Sequence, residues 1–289
     1  MAMVEELFQV VMVAGLSGNV IALWVILRQD THQLDLRLAL VMSICDLMLV
    51  IYKLGEAIFF HAAGSYPATL KDGQWQGVMT TFLLQLSAVS VGFLAILRFW
   101  VICLKQKVNL RVWWTMFVIP QVVVLGFLIE VAYQGHYELA QSMYQFYPAI
   151  NTGNWVVECC RAQLLLSFVW PVVAVNISYP YIAWIYGSSL QGLRSYEAYQ
   201  NQSKSVYIKI AGFVLVYNLI MLPSLLVLIM EEITGSLQSP FLESAAVVAL
   251  FSMTFFNPFV LLVLHHDSFI ELKALIRQIK STLQPNSAC

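Results

Sequence analysis

Apolar residues run along this chain in seven stretches, at about 4–28, 36–61, 75–104, 111–133, 162–187, 205–230 and 241–265, with short polar segments between them. Crossing a bilayer as a helix takes about 20 mostly apolar residues. The pattern therefore predicts an all-α bundle of seven transmembrane helices, since hydrocarbon offers no partner for an exposed backbone N–H or C=O. The first stretch opens with Glu5 and Glu6 and ends at Arg28 without a small-residue cleavage site, which reads as a retained helix and not as a signal peptide. Beyond the seventh stretch, Phe269, Leu272, Ile276 and Ile279 recur at helical spacing opposite Glu271, Lys273, Arg277 and Lys280. That stripe predicts a short amphipathic helix over about 268–283, lying on the cytoplasmic membrane surface. The expected division is a membrane domain over 1–265 and an amphipathic helix with tail over 266–289.

Composition agrees with the pattern: 60% of the residues are hydrophobic and 11% charged, too few charges to cover a water-soluble particle of this length. A net charge of -1 removes any composition argument for nucleic acid as a partner. The lipid bilayer is the expected surroundings. Of the fifteen Lys and Arg residues, twelve fall on one set of helix flanks, and only Lys53, Lys71 and Arg161 fall on the other. Because cytoplasmic flanks retain positive charge during insertion, the N-terminus is expected outside and the C-terminus inside, in the plasma membrane. Both Asn-x-Ser sequons, at Asn176 and Asn201, then lie where no glycan is attached. The five cysteines, with Cys159 and Cys160 adjacent, show no metal spacing and no disulfide framework.

Polar side chains at membrane depth are costly and therefore candidates for function. The first helix carries Asn19 and the second Asp46, with Lys53 and Glu56 further along it. The third has Thr80, Thr81, Gln85, Ser87 and Ser90 and closes with Arg98. The sixth has Asn218 and Pro223, and the seventh Thr254, Asn257 and Pro258. A carboxylate in hydrocarbon needs a cation or hydrogen bonds to offset desolvation. Asp46 is thus expected to meet Ser87, Thr254 and Asn257, either as an ion-binding and switching site for sodium or as a polar lock between helices. Lys53 and Glu56, three residues apart on one helical face, either pair with each other or face a ligand. The aromatic residues Trp75, Tyr133, Tyr144, Tyr147 and Trp155 either line a pocket or form an interfacial belt, the belt being the default.

These landmarks resemble those of the rhodopsin-like (class A) G-protein-coupled receptor superfamily, over the whole membrane domain. Gly18-Asn19 is similar to the Gly-Asn of that family's first helix, Asp46 to its second-helix aspartate, and Arg98 to its third-helix arginine. Trp113 or Trp114, Pro223 and Asn257-Pro258 match the landmarks of helices four, six and seven. The chain departs from the family at Leu97, where an acid precedes the arginine, at Leu261 in place of tyrosine, and at Met221 in place of tryptophan. No cysteine stands around Gly73 to Val78. The resemblance is to a divergent member.

It implies a receptor that takes an extracellular ligand and signals to a heterotrimeric G protein, with no cofactor beyond a sodium ion. Lys53, Glu56, Thr80, Thr81, Met221 and Glu243 form the expected ligand pocket. Arg98 with Lys105, Lys107 and Lys204 forms a positive rim facing the G protein, and Arg98, lacking the adjacent acid, is expected to be restrained by Ser203, Ser205 or Tyr207. An enzyme is not expected, since Asp46 is the one acid near mid-membrane. No Lys lies between Lys209 and Lys273 to carry retinal, and the histidines lie at helix ends or in loops. The alternative is a seven-helix transporter or channel, on the strength of Pro120-Gln121, although no second Pro-Gln pair marks a repeat.

Overall fold

A computed structural model of the chain describes residues 2–29, 34–63, 70–139, 146–150, 152–190, 196–235 and 239–264. The predicted amphipathic helix and the 266–289 tail lie outside the described residues. The elements are α1 (Ala2–Leu27), α2 (Leu34–Ala63), α3 (Leu70–Ile102), α4 (Leu110–Tyr133), β1 (Tyr137–Leu139), β2 (Phe146–Pro148), α5 (Trp155–Leu190), α6 (Tyr196–Thr234), α7 (Pro240–Phe251) and α8 (Met253–Leu264). They form an all-α seven-helix bundle capped by one hairpin. Seven spans are long and apolar enough to cross a membrane, the seventh formed by α7 continuing into α8. The protein is a multi-pass membrane protein.

The third span is the most enclosed, with 72% of its apolar window buried. It packs against α2, α4 and α5, while α1 lies beside α2 and α8, and α6 beside α5 and α7. The main core joins Met12, Leu49, Ala88, Val175, Tyr217 and Phe251 from six helices. Gly92 sets the closeness of α3 to α5: a Cβ there would come within 2.8 Å of the Trp170 ring and 2.9 Å of the Pro171 Cα. Neither a wedged indole nor a backbone atom yields cheaply. Gly92→Ala is expected to cost about 1–3 kcal/mol, read as a lower melting temperature in detergent. Gly126→Ala, where nothing lies within 4 Å of the added methyl, serves as the comparison and should melt as the wild type does.

Several local features differ from the sequence expectation, among them the start of α6 at Tyr196 instead of about 205. The connection expected as a loop over about 134–161 contains the antiparallel β1–β2 hairpin, with Tyr137 opposite Pro148 and Leu139 opposite Phe146. Gln74 of α3 grips it, donating from Nε2 to the Tyr137 carbonyl (2.8 Å) and accepting from the Tyr137 N–H (2.7 Å). The fifth helix starts at Trp155, seven residues before the predicted start, because Asn154 caps it: its Oδ1 accepts from the Val156 N–H at 3.0 Å. The seventh span breaks at Ser252, whose N–H reaches back to Val248 and Ala249 before α8 begins.

Candidate functional site

Pro258 organises the middle of the bundle. Having no N–H, it leaves the carbonyl four residues back, that of Thr254, without an intrahelical donor. Asn19 of α1 fills the gap: its Nδ2 donates to the Thr254 carbonyl at 2.7 Å and to the Gly15 carbonyl of its own helix at 2.9 Å. The approach is close, since a Cβ on Gly18 would stand 3.2 Å from the Pro258 ring and one on Gly15 3.0 Å from the Thr254 hydroxyl. Two of the sequence landmarks thus form one contact, a carbonyl that proline strips and an amide that answers it.

One residue before Pro258, Asn257 ties three helices together. Its Nδ2 donates to Asp46 Oδ2 of α2 (3.0 Å) and to Ser87 Oγ of α3 (2.9 Å). Asp46 is fully buried, Ser87 and Asn257 nearly so. Thr254, expected in the same cluster, turns its hydroxyl to the Phe251 carbonyl of its own chain segment at 2.8 Å and takes part through its backbone instead. Asp46 Oδ1 and Ser43 Oγ, one helical turn apart on α2, are buried without a hydrogen-bond partner, and so is Asn19 Oδ1. Hard oxygens such as the orphaned Asp46 carboxylate oxygen and the Ser43 hydroxyl, one turn apart on α2, are donors of the kind that a monovalent cation of the sodium type takes. Among the described residues no three His, Cys, Asp or Glu side chains gather as a site for a more highly charged metal would need.

Towards the end of the bundle that carries the hairpin, Lys53 and Glu56 form an ion pair at 2.8 Å, with the Lys53 side chain 2% exposed. Gln76 of α3 donates to the other Glu56 oxygen, and the ammonium sits 5.8 Å from the Phe251 ring centre. Glu56→Ala is expected to cost about 3 kcal/mol, because a buried ammonium then loses its carboxylate. The double change Lys53→Met with Glu56→Leu should recover most of the melting temperature. Equal loss in both variants would mean that the cost does not come from an unpaired buried ammonium.

Beside this pair, at the same end, a cavity of about 110 Å³ lies between α3, α5, α6, α7 and the hairpin. Its polar lining is Thr81, Tyr147, Arg161, Glu231, Glu232 and Glu243, over apolar walls that include Phe168 and Leu250. Thr81 and Glu243 are the expected pocket residues that it contains. Lys53 and Glu56 face each other outside its lining, Thr80 is buried with its hydroxyl unpartnered, and Met221 belongs to the apolar core. Arg161 of α5 binds Glu232 of α6 through Nε (3.0 Å) and Nη2 (2.5 Å) and reaches the Ala149 carbonyl beside the hairpin. Tyr147, for which the sequence leaves a pocket or the belt open, lines the cavity; burial and the carboxylates of Glu243, Glu231 and Glu138 push its hydroxyl above the usual tyrosine range, so it stays a protonated donor. Trp75, Tyr133 and Trp155 are exposed, as a belt requires, and Tyr144 lies outside the described residues.

At the opposite end, Arg98 Nη1 of α3 donates to the Tyr179 hydroxyl of α5 at 3.3 Å. Among the described residues its side-chain partner is therefore on the fifth helix. The Tyr207 hydroxyl rests instead against Gly187, where no Cβ would fit, and the side chains of Ser203 and Ser205 lie outside the described set. Tyr179 packs edge-on against Phe213 of α6, which in turn touches Tyr217 and lies parallel to Phe256 of α8. Lys105, Lys107 and Lys204 are exposed, and Lys105 turns the chain out of α3 with a positive φ of 49°. Pro223 stands inside α6 next to Ser224, whose hydroxyl donates to the Ala246 carbonyl of α7 at 2.6 Å. No protein-family model and no curated protein matches this chain, so its likeness to the rhodopsin-like receptors rests on these residues alone.

Proposed function

We propose that this chain is a ligand-activated receptor of the rhodopsin-like G-protein-coupled class, set in the plasma membrane with the hairpin end outside. The observation that carries the proposal is the single Asn257 amide shared between Asp46 and Ser87, which joins the second, third and seventh spans. A junction of that kind has discrete arrangements and not a continuum, because each buried polar group must be either bonded or replaced by an ion. It stands between a cavity at the hairpin end and Arg98 at the other. A ligand that favours one arrangement shifts the population of the whole bundle by its difference in affinity. Sodium at Asp46 would favour the other. Exposed Lys105 and Lys107, in the connection that follows α3 beyond Arg98, and exposed Lys204 of α6 supply positive charge that attracts an acidic helix end of a heterotrimeric G protein.

The test is GTP exchange on reconstituted heterotrimeric G proteins, with the full chain in liposomes that also report solute flux. Accelerated exchange without flux is the expected result. Flux without exchange, across every G protein tried, supports the transporter or channel reading. In the Pro120-Gln121 pair behind that reading, Gln121 Oε1 accepts from Gln85 Nε2 at 3.4 Å, and Gln85 also donates to Ser167.

A further inference from the structure

On the outside of the bundle, α4 presents Val123, Gly126, Phe127 and Glu130, whose spacing puts them on one stripe of the helix. With Trp155 and Val156 at the start of α5 they line an open groove of about 420 Å³ at the hairpin end. A Cβ on Gly126 would meet nothing within 4 Å, so the protein itself leaves a notch there. Glu130 stands twenty residues after Leu110 on the same helix, a rise of about 30 Å, which matches the thickness of a hydrocarbon core. The groove is therefore apolar at the depth of acyl chains and anionic at the level of head groups. Glu130 Oε1 accepts from Gln134 Nε2 at 2.7 Å, and Gln134 Oε1 accepts from Asn154 Nδ2 at 2.6 Å, which holds the carboxylate at the groove's mouth. No Lys or Arg lines the groove. Glu158, one turn after Trp155, adds a second exposed carboxylate near that end.

These charges discriminate among the molecules that a membrane offers to such a surface. A second copy of the chain meeting it through the same stripe would set Glu130 against Glu130. A sterol brings a neutral head, and an anionic phospholipid brings one that both glutamates repel. We infer that the groove binds a phospholipid with an ammonium-bearing head group, from the leaflet at the hairpin end. Its ammonium lies between the Glu130 carboxylate and the Trp155 ring, and one acyl chain fills the notch at Gly126. An ammonium is attracted both to a carboxylate and to the face of an indole. Trp155 is 71% exposed, which leaves that face open to a lipid head. Asn154, which caps α5 and donates to Gln134, links the two helices that form the site. The inference needs a membrane and does not rest on the receptor reading.

The experiment strips the full chain of lipid in detergent and titrates it with equal amounts of phosphatidylethanolamine and phosphatidylglycerol carrying identical acyl chains. Native mass spectrometry then reads which lipid is retained first. The wild type is expected to hold the ethanolamine lipid about fivefold or more over the glycerol lipid. E130Q removes the charge and keeps an acceptor for Gln134, so it should still retain a lipid while its preference falls to about one. Gly126→Phe fills the notch and should lower retention of both lipids severalfold, with the melting temperature in detergent unchanged. Equal retention of the two lipids by the wild type overturns the inference, and so does an E130Q protein that keeps the preference. Undiminished retention in Gly126→Phe overturns the placement in this groove. Displacement of the ethanolamine lipid by an equal amount of cholesterol assigns the groove to a sterol instead. If the variants do not fold, the ratio of the two lipids on the wild type decides alone.

Discussion

Replacing N-methylglucamine with sodium is expected to raise the melting temperature of the wild-type protein and to leave Asp46→Asn unmoved. The reason lies in the accounting of oxygens around Asp46. One carboxylate oxygen accepts from Asn257 at 3.0 Å, while the other, and the Ser43 hydroxyl one turn away, are buried with no partner. An ionised carboxylate left in that state costs several kcal/mol, and a cation held by those oxygens returns a part of it. At a concentration about a hundred times its Kd, sodium adds about 2.7 kcal/mol, which for a chain of this size is a rise of about 5 °C. An amide at position 46 keeps the bond to Asn257 but brings no charge, so the ion gains nothing. Asn257→Ala should act differently: it strips Asp46 and Ser87 of a shared donor and lowers stability by about 2 kcal/mol in the absence of sodium. Equal sodium responses from wild type and Asp46→Asn would leave this junction a polar lock and nothing more.

What could be read from the sequence was set by depth and by local chemistry. The seven spans are legible because bilayer thickness imposes a length on apolar runs. The meeting of Asp46 with Asn257 and Ser87 is legible because three costly groups at similar depth have few other ways to be satisfied. Lys53 and Glu56 pair because helical spacing puts them on one face. The role of Thr254 was harder: it offers a hydroxyl and a carbonyl, and the carbonyl matters because of Pro258, a consequence that counting four residues back from the proline would have revealed. Asn154 likewise signals the early start of α5 as a cap placed ahead of Trp155.

Other contacts had no local signal. Gln74 and Tyr137 are 63 residues apart, and nothing in either segment says that a glutamine at the start of the third span will hold a hairpin. Tyr147 reads as one more aromatic residue near an interface until the hairpin turns it towards Glu243 and Glu231. The described partner of Arg98 lies 81 residues away on α5, and nothing in either segment announces it. Helix packing decides such pairs, and a single sequence records the packing of α3 on α5 only indirectly, as Gly92 opposite Trp170 and Pro171.

The contact of Arg98 with α5 governs the remaining large effect. Arg98 is expected to be indispensable for coupling and only weakly restrained at rest. Its one described tie is a hydrogen bond of 3.3 Å to the neutral hydroxyl of Tyr179, long for its kind and without the charge of an adjacent acid, since position 97 is a buried leucine. A bond from a charged donor is worth at most about 1.5–3 kcal/mol, and this geometry puts it at the lower end. Wild-type protein should therefore show measurable GTP exchange without ligand. Tyr179→Phe removes the hydroxyl while keeping the ring against Phe213, at 4.7 Å between centres, so packing survives and the restraint does not. About 1.4 kcal/mol corresponds to a tenfold change in an equilibrium, and basal exchange should rise by roughly that factor at most. Arg98→Ala should abolish exchange, with surface expression and binding at the hairpin-end cavity intact. A silent wild type, or an Arg98→Ala protein that couples as well as wild type, would remove Arg98 from the mechanism. A fall in basal exchange in Tyr179→Phe would instead assign the Arg98–Tyr179 bond to the signalling state, with the arginine held ready by α5 and not held back by it.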